Sequence, residues 1–452
     1  MSPPPNLRQD FVHRQLRRVL DHLKDIGDDV FDMPDGERVS PETVRVAREA
    51  IADSLRNETP PPADYYSRSP VVSLLQSAFD EQSDDDRERM EADDGPVLGI
   101  ATSLLKRLFR RRHDFVDTPA RADLAPRTRL VLISDWGSGR TDAENVAERT
   151  KAFLHDPVPT HLIHLGDTYY SGTSAEAQRN VLDEWPVDAG DADSIRSWAL
   201  NGNHDMYSGG HGFFEVTLAD PRFGLQRAEG GATTSWFVLS NDDWNVVALD
   251  TAWRHPEIDL RGDQLFVEGD LGHLYGSQVD EVLRCARETG KRLLVLSHHQ
   301  LYSAYDDHRI AFGPDRADTT PLQEELKPVL DEREIDVWFW GHEHDCLAYE
   351  RGFGGVGAAR AVGHGAVPER VRETAATPLG DGYPEFVVKP DPYDGAPAAL
   401  RALAWEYRDS RWDAQHERYM CKRGFAVLDI DGRDLTVRYV DDEGTTWLEE
   451  SL

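Results

Sequence analysis

Two rhythms of apolar residues divide this chain. Val12, Leu16, Val19, Leu20 and Leu23 fall three or four positions apart, which predicts an amphipathic helix. A second helix is predicted from Ser40, a good N-cap, with Pro41 in the first helical position and Glu42 near the positive helix end. Its apolar stripe is Val44, Ala47, Ile51 and Leu55, and Pro60-Pro61-Pro62 ends it. Val71 to Phe79 reads as a third helix, and Asp84-Asp85-Asp86 as a solvated loop. Leu98 to His113 sets Leu104, Leu105 and Leu108 against Lys106, Arg107, Arg110, Arg111 and Arg112. Such a segment can meet anionic lipid or nucleic acid, but docking on the protein's own acidic body is the favoured reading.

From Arg129 the rhythm changes to short solid runs: Leu130 to Ile133, Leu162 to Leu165, Trp198 to Leu200, Asn245 to Leu249, Leu293 to Leu296 and Val337 to Trp340. Runs of this kind suit strands buried on both faces of an α/β sheet. Residues 366–420 are rich in Pro, Gly and Asp and read as a surface excursion. Alternation returns in Phe425 to Ile430 and Leu435 to Tyr439, with a turn at Asp431-Gly432. The division expected is a helical extension over residues 1–125 and a catalytic α/β domain over 126–452, with C-terminal strands in 421–452.

Charge narrows the partners. The 452 residues carry 83 acidic against 50 basic side chains, a formal net charge of −33. A surface this negative repels phosphate backbones, so no nucleic-acid partner is expected. Only seven of the basic residues are lysine, which fits either a salt-adapted surface or an arginine-rich codon usage. Cys285, Cys346 and Cys421 form no CxxC pair, and no apolar run is long enough for a membrane span. With no signal-peptide core in the first residues, the expectation is a cytoplasmic protein. Oligomeric state is not legible.

The candidate chemistry sits just past the ends of the runs. Asp135 comes after the first, Gly166-Asp167 after the second, and Asn201-Gly202-Asn203-His204-Asp205 after the third. His298 and His299 come after Leu296, and Gly341-His342-Glu343-His344 after Trp340. Ligands of open α/β sheets bind beyond the carboxyl ends of strands, so five strands would deliver polar groups to one rim. Carboxylates, imidazoles, an amide and a phenol form a mixed oxygen and nitrogen donor set, suited to Fe, Mn or Zn rather than to a thiolate-held structural zinc. Each residue alone has a plain structural reading. The ordered set points to metal.

Asp135-x-Gly137, Gly166-Asp167-x-x-Tyr170, Gly202-Asn203-His204-Asp205, Val295-x-x-His298 and Gly341-His342-x-His344 together resemble the calcineurin-like metallophosphoesterase superfamily. Gly137 stands where most members have a histidine ligand. A tyrosine three residues after the bridging aspartate replaces it in the purple acid phosphatase branch, and Tyr170 holds that place. The resemblance implies a sandwich of two mostly mixed β-sheets flanked by helices. It implies that Asp135, Asp167, Tyr170 and His344 hold one metal, and that Asp167 bridges to a second completed by Asn203, His298 and His342. Fe(III) is implied at the Tyr170 site, with Fe(II), Zn or Mn at the other.

The resemblance further implies hydrolysis of phosphate monoesters by a metal-activated hydroxide. His204 would be the proton donor, with Asp205 orienting it, and His299 and His364 would contact the phosphate of a small substrate. One departure stands out: the usual His-x-Pro reads His298-His299-Gln300 here. Two other functions fit less well: a phosphodiesterase acting on cyclic nucleotides or other diesters, and a metal-free scaffold binding a partner through its N-terminal helices. Asp250, Trp253 and His255 are read as structural, with the last two near the rim.

Overall fold

The computed structural model describes residues 9–25, 31–32, 38–39, 41–57, 69–80, 110–155, 157–261, 264–268, 271–303, 320–349, 351–367, 387–388, 402–404, 412–413, 418–419 and 422–452. Ser40, Pro60-Pro61-Pro62, the Asp84 acidic stretch, Leu98 to Phe109, Cys421 and most of 366–420 lie outside them.

Among the described residues, three helices open the chain: α1 (Gln9–Asp25), α2 (Pro41–Asn57) and α3 (Pro70–Asp80). Leu16, Val19, Leu20 and Leu23 of α1 and Val44, Ala47 and Ile51 of α2 are buried, as their spacing predicts. In α3 the residues from Val71 to Ala78 are all buried, polar Ser73, Gln76 and Ser77 included. A helix buried all round is a packed layer rather than a surface element.

Six strands form one sheet. Arg127–Ile133 (β2), Thr160–His164 (β3) and Ile195–Ala199 (β4) pair in parallel. Gly424–Asp431, Asp434–Asp441 and Thr446–Ser451 add an antiparallel meander on the far side of β2. The second sheet has nine strands. Its parallel centre is Trp244–Leu249 (β6), Arg292–Ser297 (β7), Ile335–Trp340 (β8) and Val356–Val362 (β10). Phe237–Ser240 (β5) and Ala120–Asp123 (β1) extend it on one edge, and Cys346–Tyr349 (β9) on the other. The edge strand β1 lies inside the segment 1–125, so this sheet begins before the expected boundary.

The solid apolar runs have a simple cause. Leu130, Leu132, Leu294, Leu296, Val337 and Phe339 point into the layer between the sheets. Their neighbours Val131 and Ile133, or Leu293, Val295, Trp338 and Trp340, point outward under helices and loops. Both faces are therefore apolar, and alternation disappears. Burial of this kind is worth about 25 cal/mol per Å² of apolar surface and supplies the rigidity on which a site can be built. The described end of the basic segment lies along the body: His113 N–H donates to the Gly209 carbonyl at 2.8 Å, and the Trp253 indole donates to the His113 carbonyl at 2.9 Å. No helix among the described residues is long and apolar enough to cross a membrane.

Candidate metal centre

The ends of β2, β3, β7 and β8 converge on one point. Asp135, Asp167, His342 and His344 turn out of their strands with φ of 53°, 78°, 64° and 54°. Left-handed backbone disfavours side chains other than glycine, so four such residues at one rim mark a place where geometry outweighs local preference. Gly202 and Gly341 allow the close approach: a Cβ on Gly202 would collide with the Asp167 carboxylate, and one on Gly341 with Ser134 and Asp135.

Two donor sets result. In the first, the Tyr169 hydroxyl lies 3.1 Å from Asp135 Oδ1, 2.9 Å from Asp167 Oδ2 and 3.0 Å from His344 Nε2. His344 Nε2 lies 3.4 Å from Asp135 Oδ1. In the second, His298 Nε2 lies 2.9 Å from Asn203 Oδ1, 3.2 Å from His342 Nδ1 and 3.4 Å from Asp167 Oδ1. Donors bound at about 2.1 Å around an octahedral ion stand about 3 Å apart along its edges. Both sets have that spacing, and Asp167 gives one oxygen to each. The residues fit two adjacent cations.

Electrostatics agrees. Asp135, Asp167 and Asp205 are all buried, and burial with the neighbouring carboxylates Asp135 and Asp205 pushes the Asp167 carboxyl well above the usual range. Burial also raises Asp205, to about 6. Asp135 is pushed up by burial too, yet His344, His298 and Ser134 hold it below the usual carboxylate value. Burial and the carboxylates of Asp167 and Asp135 lift the Tyr169 phenol well above its ordinary value. Buried acidic groups at this density either stay protonated or are ionised by compensating cations. Burial pushes His298 down to about 4, which favours the neutral form in which imidazole binds metal, and lowers His204 to about 3.

The outcome for each expected residue is mixed. Asp135, Asp167, Asn203, His298, His342 and His344 meet as anticipated. The phenol that meets Asp135, Asp167 and His344 is that of Tyr169, where the resemblance implied Tyr170. The reason is local: Tyr169 N–H donates to the Gly137 carbonyl at 2.8 Å, which aligns this residue beside Asp135. Tyr170 holds its place through its backbone, its N–H donating to Glu176 Oε1 at 2.7 Å. Asp205 does not orient His204. Its Oδ2 accepts the N–H groups of Asp167 and Gly202, both at 2.8 Å, and so ties two ligand loops together. His204 is oriented instead by the Tyr170 carbonyl, 2.6 Å from its Nδ1.

His299 sits beside the second set, its ring centroid 4.7 Å from that of His342 and its Nδ1 2.9 Å from Thr251 Oγ1. His255 stacks on it at 4.9 Å. Beneath them Asp250 accepts the N–H groups of Ala252 and Trp253, at 3.0 and 2.9 Å, and braces their loop, the structural role read from sequence. His364 is buried against Gly424, where a Cβ would come within 2.9 Å of its Nε2, and burial lowers it to about 4. It belongs to neither cluster of buried His and Asp ligand atoms among the described residues. Sequence reasoning missed Tyr169, Thr251 and Glu176. For Tyr169 the only signal was a tyrosine adjacent to the one chosen.

Fold and rim define a class: an α/β sandwich whose strand ends present donors for two neighbouring cations. Residues 128–346 match the calcineurin-like phosphoesterase family. Among solved structures it is similar to GAP50, the anchor in the inner membrane complex of Plasmodium, at 13% identity and TM-score 0.43, covering 72% of this chain and 88% of that one. It is also similar to a metallophosphoesterase from Sphaerobacter thermophilus, at 14% identity and TM-score 0.24, covering 70% and 88%. Likenesses this distant say nothing about substrate. No curated protein matches the chain in sequence.

Proposed function

We propose that the protein hydrolyses small phosphate monoesters, with Asp135, Asp167, Tyr169 and His344 holding one cation and Asp167, Asn203, His298 and His342 the other. The observation that carries this reading is the division of Asp167, one oxygen toward each donor set. When bound, a cation pair supplies an acidified water as nucleophile and neutralises charge on the phosphoryl oxygens. The phenol in the first set favours Fe(III) there, as in the purple acid phosphatase branch, with Fe(II), Zn or Mn in the second.

The protein's own residues do the rest. Asp205 fixes the Asp167 and Gly202 loops, so both donor sets keep one geometry. His204, with Nδ1–H engaged by the Tyr170 carbonyl, gives a proton from Nε2 to the leaving oxygen once Nε2 has itself taken one up, which the negative charge of a bound phosphate would favour. His299, steadied by Thr251 and His255, stands at the second set where a phosphate oxygen would come. Side-by-side assays with p-nitrophenyl phosphate and bis-p-nitrophenyl phosphate, on protein with two metals per chain by elemental analysis, test the reading. Faster turnover of the monoester is expected. Preference for the diester would transfer the site to phosphodiesterase chemistry, and no turnover of either by the metal-loaded protein would sink it. His204→Ala should lower kcat by about a hundredfold or more while both metals remain bound.

A further inference from the structure

The helical extension reaches the reacting groups through one buried carboxylate. Glu176 is 1% exposed and collects four donors. Its Oε1 accepts the Tyr170 N–H at 2.7 Å and the Ser77 hydroxyl of α3 at 2.6 Å. Its Oε2 accepts the Ser171 and Thr173 N–H groups, at 3.1 and 3.0 Å. Ser77 and Ser171 share a further hydroxyl contact at 2.6 Å. The same Tyr170 whose N–H is held by Glu176 accepts His204 Nδ1–H on its carbonyl. A continuous hydrogen-bonded path therefore runs from α3 through Glu176 and the Tyr170 peptide to His204, across 94 residues of sequence between Ser77 and Ser171.

We propose that Glu176 is a positioning residue through which α3, by the Ser77 hydroxyl, sets the orientation of His204, so that the N-terminal helices form part of the working site rather than a detachable appendage. This rests on the phosphoesterase reading and on His204 as proton donor. A carboxylate accepting backbone N–H groups from three residues of one loop fixes that loop, because each lost acceptor strands a buried donor. The Ser77 hydroxyl completes the set from outside the loop. A second tie, Arg179 to Asp80 at 2.6 Å, anchors the end of α3 without touching Glu176, and so provides an internal control.

Proton donation gives this inference its own signature. Loss of a well-placed acid slows esters with poor leaving groups and spares those with good ones, whereas general loosening slows all alike. The experiment measures kcat and KM of the full-length, metal-loaded protein on para-substituted phenyl phosphates, from p-nitrophenyl to p-methoxyphenyl. Ser77→Ala should lower kcat on p-methoxyphenyl phosphate by about tenfold, and on p-nitrophenyl phosphate by less than about twofold, with KM and metal content unchanged. Glu176→Gln, which turns an amide NH₂ toward one pair of donors, should steepen the same dependence. Asp80→Asn should leave the dependence as in the wild type. An equal loss across the series, or no loss in either Ser77→Ala or Glu176→Gln, overturns the inference while leaving the hydrolase reading intact. Wild-type inactivity on every ester overturns the hydrolase reading and this inference with it.

Discussion

The layer between the two sheets and the rim at their strand ends obey opposite rules. Between the sheets most side chains agree with their backbone: branched and aromatic residues dominate the extended strands there. At the rim, four residues other than glycine adopt left-handed backbone, and three carboxylates lie buried within one constellation. The first region is what stability alone would build. The second is held against its own preferences by the first, and its buried charge becomes favourable only with a cation present. The lesson is that this fold separates the source of its rigidity from the place where that rigidity is used.

The sharpest way to break the comparison is Asp167→Asn. A neutral bridge cannot balance two cations, so metal content should fall below one per chain and kcat/KM by on the order of a thousandfold or more. In chelator-treated protein the same variant should melt no lower than wild type, since it removes a carboxyl whose charged form burial disfavours; a lower melting temperature would show that the rim supports the fold after all. Leu294→Ala addresses the other region. Leu294 is fully buried in the inter-sheet layer, and its truncation should cost about 2–5 kcal/mol in denaturant titrations. Metal content and kcat of the folded fraction should not change. A smaller effect separates the two tyrosines. Tyr169→Phe should weaken the first site by about tenfold to a hundredfold in metal affinity and abolish any tyrosine-to-iron absorption. Tyr170→Phe keeps the backbone contacts of that residue and should do neither.

The same contrast explains which features were legible in the sequence. The six apolar runs were legible because burial on both faces leaves no polar interruption. The strands β1, β5, β9 and β10 were not: Ala120–Asp123 and Val356–Val362 carry Ala, Gly, Arg or Asp at positions that a pattern reads as loop. Six of the seven expected donors meet because each lies just beyond a run that ends at the rim. Tyr169 in place of Tyr170 has a different cause. Two adjacent tyrosines offer the same chemistry at neighbouring spacings, and backbone contacts such as that of Tyr169 N–H with the Gly137 carbonyl, which tell them apart, leave no mark in the sequence. The backbone N–H partners of Asp205 were likewise not legible, since backbone amides as hydrogen-bond donors leave no trace in residue identity. The link from Ser77 to Glu176 was invisible because nothing in either residue marks a contact so distant along the chain.

The smallest expected effect probes the sheet away from the rim. His161 in β3 is buried, and its Nδ1 accepts the Trp198 indole N–H at 3.0 Å. Burial, with the nearby Arg196 guanidinium, lowers its pKa from 6.5 to about 4. The folded state thus keeps His161 neutral while the unfolded state protonates it, so stability is complete above the unfolded pKa and is lost as pH falls between about 6.5 and 4. From this residue alone the loss should reach about 1 kcal/mol by about pH 5.5 and about 3 kcal/mol once both states are protonated. His161→Gln keeps an acceptor for Trp198 but cannot take up a proton. Denaturant titrations of metal-free protein at a series of pH values should therefore show a shallower acid slope for the variant than for the wild type. Equal slopes would mean that His161 titrates alike in both states, and that water reaches the sheet where the packing places none.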